Sequence, residues 1–140
     1  MEAGTESLDR PACPVRSETE TGMTIALTSM QALELWRHAL TAAVRREAPD
    51  LSSRQIALLL TIYLTPAPHT VRGLSSALHI SKPAVTRALD RLGELGLTRR
   101  AVDTADRRNV LIERTEAGQA YLDGFADLVR QAATMIGVAA

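Results

Sequence analysis

The chain has 140 residues, 46% apolar and only 3% aromatic, with a formal net charge of zero and one cysteine. A chain of this size can bury one aliphatic, alanine-rich core of helical character. The lone Cys13 excludes an internal disulfide, and the longest uncharged apolar run, residues 56–64, is far too short to span a bilayer.

The zero is a cancellation. Residues 1–22 carry five acids and two bases, residues 72–114 carry nine bases and five acids, and residues 115–140 are net acidic again. A basic segment flanked by acidic ones can still present a positive face to a polyanion.

Residues 1–22 are polar, contain two prolines and show no apolar period, so a disordered acidic tail is expected there. The opening stretch MEAGTESLDRPACPV has acids and prolines where a signal peptide has a positive end and an apolar run. The expectation is a soluble, cytoplasmic protein with no membrane partner.

From Thr28 the pattern changes. Leu33, Trp36, Leu40, Ala43 and Val44 recur at three- and four-residue steps, which predicts an amphipathic helix over residues 28–48, capped by Thr28 or Ser29 and stopped before Pro49. Ser52 or Ser53 caps a second helix that turns Ile56, Leu59, Leu60 and Tyr63 toward a core. It ends before the connector TPAPHT.

Thr70 caps a short helix carrying Leu74 and Leu78, and Ser81 caps the next, residues 81–95. Pro83 falls in the first turn of this second helix, where a missing N–H costs nothing. Val85, Leu89, Leu92 and Leu95 make its buried stripe, and Gly96 is its left-handed stop. Lys82, the only lysine in the chain, lies on the opposite side with Ala84, Thr86, Arg87, Asp90 and Arg91.

LTRRAV and VLIER, joined by the Asp-rich DTADRRN, read as a β-hairpin. A last helix begins at Thr115 and Glu116 with Leu122, Phe125, Leu128, Val129, Ala132 and Ile136 on one side.

Two short helices with a tight link, followed by a twisted hairpin, make a winged helix-turn-helix on a mainly α-helical domain. Arg87 can meet guanine bidentately and Thr86 a thymine methyl or a phosphate. Ser81, Lys82 and Pro83 at the helix start suit a phosphate. The bland account is a solvated face of i,i+4 pairs, but Arg87 with Arg91 and Asp90 with Glu94 would be like-charged, which a purely structural surface has little reason to prefer.

The sequence here resembles the MarR family of bacterial winged-helix transcription regulators. The resemblance covers residues 51–118. It rests on Ser81, the run VTRALDRLGELGL, Thr98-Arg99-Arg100, Asp106-Arg107-Arg108 and the closing Thr115-Glu116-Ala117-Gly118, in that order and spacing. One departure is Arg114, which stands where the family usually has an apolar residue. The strand end is then either more exposed or paired with a nearby acid.

The resemblance implies a domain at residues 23–140, with a DNA-binding core and wing at 70–114. Residues 28–48 and 115–137 would supply dimerisation helices. The recognition helix, residues 81–95, would enter the major groove and the wing, residues 99–112, the minor groove. Expected DNA-binding residues are Ser81, Lys82, Pro83, Thr86, Arg87, Arg91, Arg107 and Arg108. Arg108 would reach into the minor groove, Arg107 would be a second groove residue or a phosphate contact, and Asp106 would orient the wing. A narrow minor groove concentrates negative potential, which suits an arginine on a thin hairpin. Asp103 is expected to do turn chemistry alone.

A homodimer would favour a palindromic operator in double-stranded DNA, with recognition helices about 34–36 Å apart. Gly124, in the middle of the last helix, leaves the dimer geometry open. Many relatives bind small aromatic acids or phenols as effectors, but Trp36, Tyr63, Tyr121 and Phe125 are the only aromatics here to wall such a pocket. His38, His69 and His79 are separated and read as surface or boundary residues. Some relatives sense oxidants through an N-terminal cysteine. Cys13 has no fixed basic neighbour to lower its pKa, so no such role is expected.

The leading expectation is therefore a sequence-specific regulator, a homodimeric repressor without a cofactor. The alternative is a winged-helix protein–protein interaction module, which would not need Arg107 and Arg108 at its tip. The sequence has no nucleophile–base set, no metal-ligand spacing and no Gly-rich phosphate loop to point to an enzyme. Ser75, Ser76 and His79 suggest a hydrolase only superficially, as polar residues on a short helix.

Overall fold

The structure, a computed structural model, describes residues 26–138; the expected acidic tail and Cys13 lie outside them. In chain order the elements are α1 (Ser29–Arg45), α2 (Ser53–Leu64), α3 (Val71–Leu78), α4 (Lys82–Glu94), β1 (Thr98–Val102), β2 (Val110–Arg114) and α5 (Glu116–Met135). Each helix starts on a hydroxyl. Thr28, Ser52, Thr70, Ser81 and Thr115 accept from the backbone N–H of the residue three positions on. Such a cap satisfies one of the four N–H groups that a helix start leaves unpaired and typically contributes about 1 kcal/mol. At Thr28 and Ser52 the bond is reciprocated by Gln31 and Gln55, completing a capping box.

The core is aliphatic. Leu58, Leu59 and Ile62 of α2 meet Leu74 of α3, Val85, Leu89 and Leu92 of α4, and Leu97, Ile112 and Leu122 around the hairpin. Each buried Leu, Ile or Val stabilises by about 1.5–3 kcal/mol. On α2 the buried face is Leu58, Leu59, Ile62 and Tyr63, with Ile56 and Leu60 at its edge rather than at its centre. The run IALLLTIYL is apolar on every side, so periodicity alone leaves its phase undetermined.

The first helix leaves most of its apolar stripe uncovered. It packs on α5, yet Ala39 is its only buried residue. Leu33, Trp36 and Val44 of the expected stripe are 68%, 51% and 74% exposed. On α5, Leu122, Phe125 and Ala132 are buried and Leu128, Val129 and Ile136 half-buried, on the expected side. Gly124 has a local reason. A Cβ there would lie 3.0 Å from Nη1 of Arg46, whose guanidinium stacks 4.4 Å over the Tyr121 ring. The Tyr121 hydroxyl donates in turn to the Pro49 carbonyl at 3.0 Å.

The hairpin is antiparallel, with Thr98 opposite Arg114 and Val102 opposite Val110. It is fixed to the helices and their connector through Ile112 and Arg114. Ile112 N–H donates to the His69 carbonyl at 2.9 Å. His69 itself is only 8% exposed, with Nε2 3.2 Å from the Thr65 carbonyl, so it is a buried residue of the connector and not a surface one.

The contacts of Arg114 resolve its role. Its Nε donates to the Ile62 carbonyl and its Nη2 to the Thr65 carbonyl, both at 2.9 Å. Among the described residues it pairs with no acid. The cation instead closes the C-terminal end of α2, where unpaired carbonyls and the helix dipole favour positive charge. Among the described residues no helix is long and apolar enough to cross a membrane.

Candidate nucleic-acid interface

The link between α3 and α4 is three residues, His79, Ile80 and the cap Ser81. His79 takes a left-handed conformation, φ 53° and ψ 40°, that non-glycine residues adopt rarely. Two bonds between Ser75 and Ile80 hold the turn: the Ser75 hydroxyl donates to the Ile80 carbonyl at 2.6 Å, and Ile80 N–H donates to the Ser75 carbonyl at 3.3 Å. The serine and histidine that superficially suggest a hydrolase thus set the angle at which α4 leaves α3. Ser81 then caps α4 through Ala84 N–H at 3.3 Å, and Pro83 sits in the first turn.

The exposed face of α4 carries Lys82, Pro83, Thr86, Arg87, Asp90 and Arg91, with Ser81 at its head. Ala84 does not belong to that face; it is 8% exposed. With Ala88 it widens the buried side of Val85, Leu89 and Leu92, because a small side chain lets neighbouring elements approach closely.

The like-charged spacing on α4 also finds partners. Asp90 forms an ion pair with Arg100 of β1 at 2.7 Å, and Arg91 reaches Glu94 at 3.4 Å. On the hairpin Arg99 pairs with Glu113 at 2.6 Å. The like charges on α4 therefore do not by themselves mark a DNA face, since tertiary and i,i+3 contacts balance them. On α4 and the wing loop four cations remain. Among the described residues Lys82, Arg87, Arg107 and Arg108 are exposed and enter no ion pair.

The wing loop is built on its two aspartates. Asp103 Oδ1 accepts from Ala105 N–H at 2.9 Å and Asp106 Oδ1 from Arg108 N–H at 3.0 Å. Asn109 N–H donates to the Asp106 carbonyl at 3.0 Å. Asp106 thus orients the backbone at Arg108, leaving both arginine side chains outside any ion pair. The fold brings the helix start, Arg87 and this loop onto one winged unit. The role of Ser75 and the burial of Ala84 escape sequence reading. Only the Ala84–Ala88 spacing carried a signal, and it shows only when alanine is counted as apolar.

Two apolar clefts lie outside this unit. One, of about 430 Å³, is lined by Leu60, Tyr63, Leu122, Phe125 and Val129, with Arg130 also present. The second, of about 280 Å³, lies between α1 and α2 and includes Trp36 and Leu40. Among the described residues no group of three or more His, Cys, Asp or Glu is placed to hold a metal.

Residues 51–110 match the family model described as MarR family. Among solved structures, the chain is similar to a mutant of S. aureus MepR bound to an oligodeoxyribonucleotide, at TM-score 0.66 and 22% identity over 76% of each chain. It is similar to MarR, at TM-score 0.59 and 24% identity over 80% of this chain and 81% of that one. It is also similar to S. aureus MepR bound to ethidium bromide, at TM-score 0.61 and 23% identity over 76% and 75%. At these identities the likeness is one of fold. Comparison with curated proteins returns no match.

Proposed function

From a chain whose residues 51–110 match the MarR family model, we propose a sequence-specific DNA-binding transcription regulator. It acts without enzymatic chemistry. The carrying observation is that, among the described residues, Lys82, Arg87, Arg107 and Arg108 stand exposed and outside any ion pair, while Arg91, Arg99 and Arg100 are matched by carboxylates. A polyanion supplies the missing charge. The DNA-bound MepR structure of similar fold supports this reading.

In the proposed complex α4 lies in the major groove. Ser81, Lys82 and Pro83 at its start, together with Arg91, position it on phosphates, and Arg87 and Thr86 read base edges. The wing meets the adjacent minor groove with Arg108, its backbone held by Asp106, and with Arg107 beside it.

The protein acts as a cytoplasmic homodimer. Leu33, Trp36 and Val44 of α1 and Met135 of α5, all more than half exposed in one chain, are covered by a second copy. Two recognition helices then favour a palindromic operator, and occupancy of a promoter represses it. The cleft bearing Tyr63 and Phe125 is the place for a small apolar effector, a reading supported by the ethidium-bound MepR. It gathers two of the few aromatics.

Hydroxyl-radical footprinting of the DNA upstream of its own gene tests the proposal. The expected pattern is protection repeated at half-sites about 10 bp apart or a multiple of that spacing. Uniform cleavage along the duplex at saturating protein would contradict it.

A further inference from the structure

One more arginine of the winged unit lies outside the expected site. Arg72, in the first turn of α3, is exposed and, among the described residues, in no ion pair. With Thr70, Val71, Arg108, Asn109 and Val110 it lines a cleft of about 430 Å³ between the start of α3 and the returning strand of the wing. Two arginines from separate elements line this cleft, and no carboxylate does. Like charges that share a cleft repel, and an anion between them offsets both. A guanidinium presents N–H groups in a planar fork that fits two oxygens of a phosphate.

We propose that this cleft seats one phosphodiester of the DNA backbone, held by Arg72 together with Arg108, at the lip of the minor groove that the wing enters. The inference deepens the DNA-binding reading above and rests on it. With α4 in a major groove and the wing in the next minor groove, the backbone strand between the grooves runs past the base of the wing. A contact there fixes the depth of the wing and adds affinity on any sequence.

The test is fluorescence anisotropy of the full chain with the duplex upstream of its own gene and with a shuffled duplex, over a series of KCl concentrations. Each neutralised phosphate contributes about 0.9 to the slope of log affinity against log salt. Arg72→Ala is expected to lower that slope by about one such step on both duplexes, leaving the ratio between them unchanged. Arg72→Lys keeps the slope, and Arg54→Ala, an exposed arginine on α2, leaves it as it was. Single methylphosphonate replacements along the duplex then locate the phosphate. One position weakens the wild type clearly more than it weakens Arg72→Ala, in which Arg108 alone remains to hold that phosphate.

A steep wild-type slope unaltered by Arg72→Ala would overturn the inference while sparing the regulator reading. So would a methylphosphonate series in which every position affects both proteins alike. A wild type with no salt-dependent binding to either duplex would overturn the regulator reading and the cleft assignment together.

Discussion

The Cα of Gly118 lies so close to the hydroxyl of Tyr63 that a Cβ at this position would overlap the Tyr63 oxygen and crowd the Leu97 carbonyl. The hydroxyl is the hub of the joint between α2, the end of α4 and the hairpin. It accepts from Thr115 N–H at 2.8 Å and donates to the Leu97 carbonyl at 2.8 Å. The Thr115 hydroxyl donates to the Gly96 carbonyl at 2.7 Å and accepts from Gly118 N–H at 3.0 Å. The closing Thr115-x-x-Gly118 is thus a packing device, with threonine for the cap and glycine for the approach.

Gly118→Ala is expected to destabilise by about 1–3 kcal/mol, the usual cost of overpacking a close contact. Urea unfolding of the variant beside the wild type measures it. An unchanged midpoint would mean that the joint yields without cost.

Tyr63→Phe keeps the ring and removes the hydroxyl, leaving Thr115 N–H and the Leu97 carbonyl without this partner. The expected loss is about 1–3 kcal/mol, the penalty for a buried polar group left unpaired. Thermal unfolding at fixed protein concentration reads it.

Arg114→Leu restores the residue type usual in the family and is nevertheless expected to destabilise this chain by about 1–2 kcal/mol. Two carbonyls at the end of α2 lose a charged donor. A variant as stable as wild type would show that water caps those carbonyls as well as the guanidinium does.

The helix starts were legible because each is a local signal, a hydroxyl followed by an N–H three residues on. The wing was legible from Asp-rich turn chemistry and the resemblance. The phase of α2 was not, because Leu58, Leu59, Ile62 and Tyr63 stand in a run that is apolar all round. The roles of Arg114 and Asp90 were also hidden. Their partners, Ile62 and Thr65 for one and Arg100 for the other, are brought near only by the tertiary fold. The stripe of α1 is apolar in the sequence, but sequence alone could not say that its own chain leaves Leu33 and Val44 largely exposed.

Arg87→Ala is expected to relax preference at one base pair of the operator by about 1–3 kcal/mol and to alter binding to unrelated DNA far less. Competition with single-base-pair variants of the operator checks this. Equal losses on every sequence would assign Arg87 to the backbone instead.

Asp90→Ala removes an exposed ion pair with Arg100 and is expected to change stability by less than about 1 kcal/mol, because solvent screens both groups. It should tighten binding to any duplex, since a carboxylate leaves the helix that faces the phosphates. Filter binding to a shuffled duplex reads the effect. Weaker binding would show that the pair holds the wing in register.

The most direct test is the affinity of the wild type and of Arg108→Ala for the duplex upstream of its own gene and for a shuffled one, measured at several salt concentrations. The prediction is tighter binding to the upstream duplex, affinity that falls steeply with salt, and a loss on both duplexes when Arg108 is removed. Weak, equal binding to both duplexes that Arg108→Ala leaves unchanged would contradict a DNA-binding role and favour a winged-helix module that binds protein.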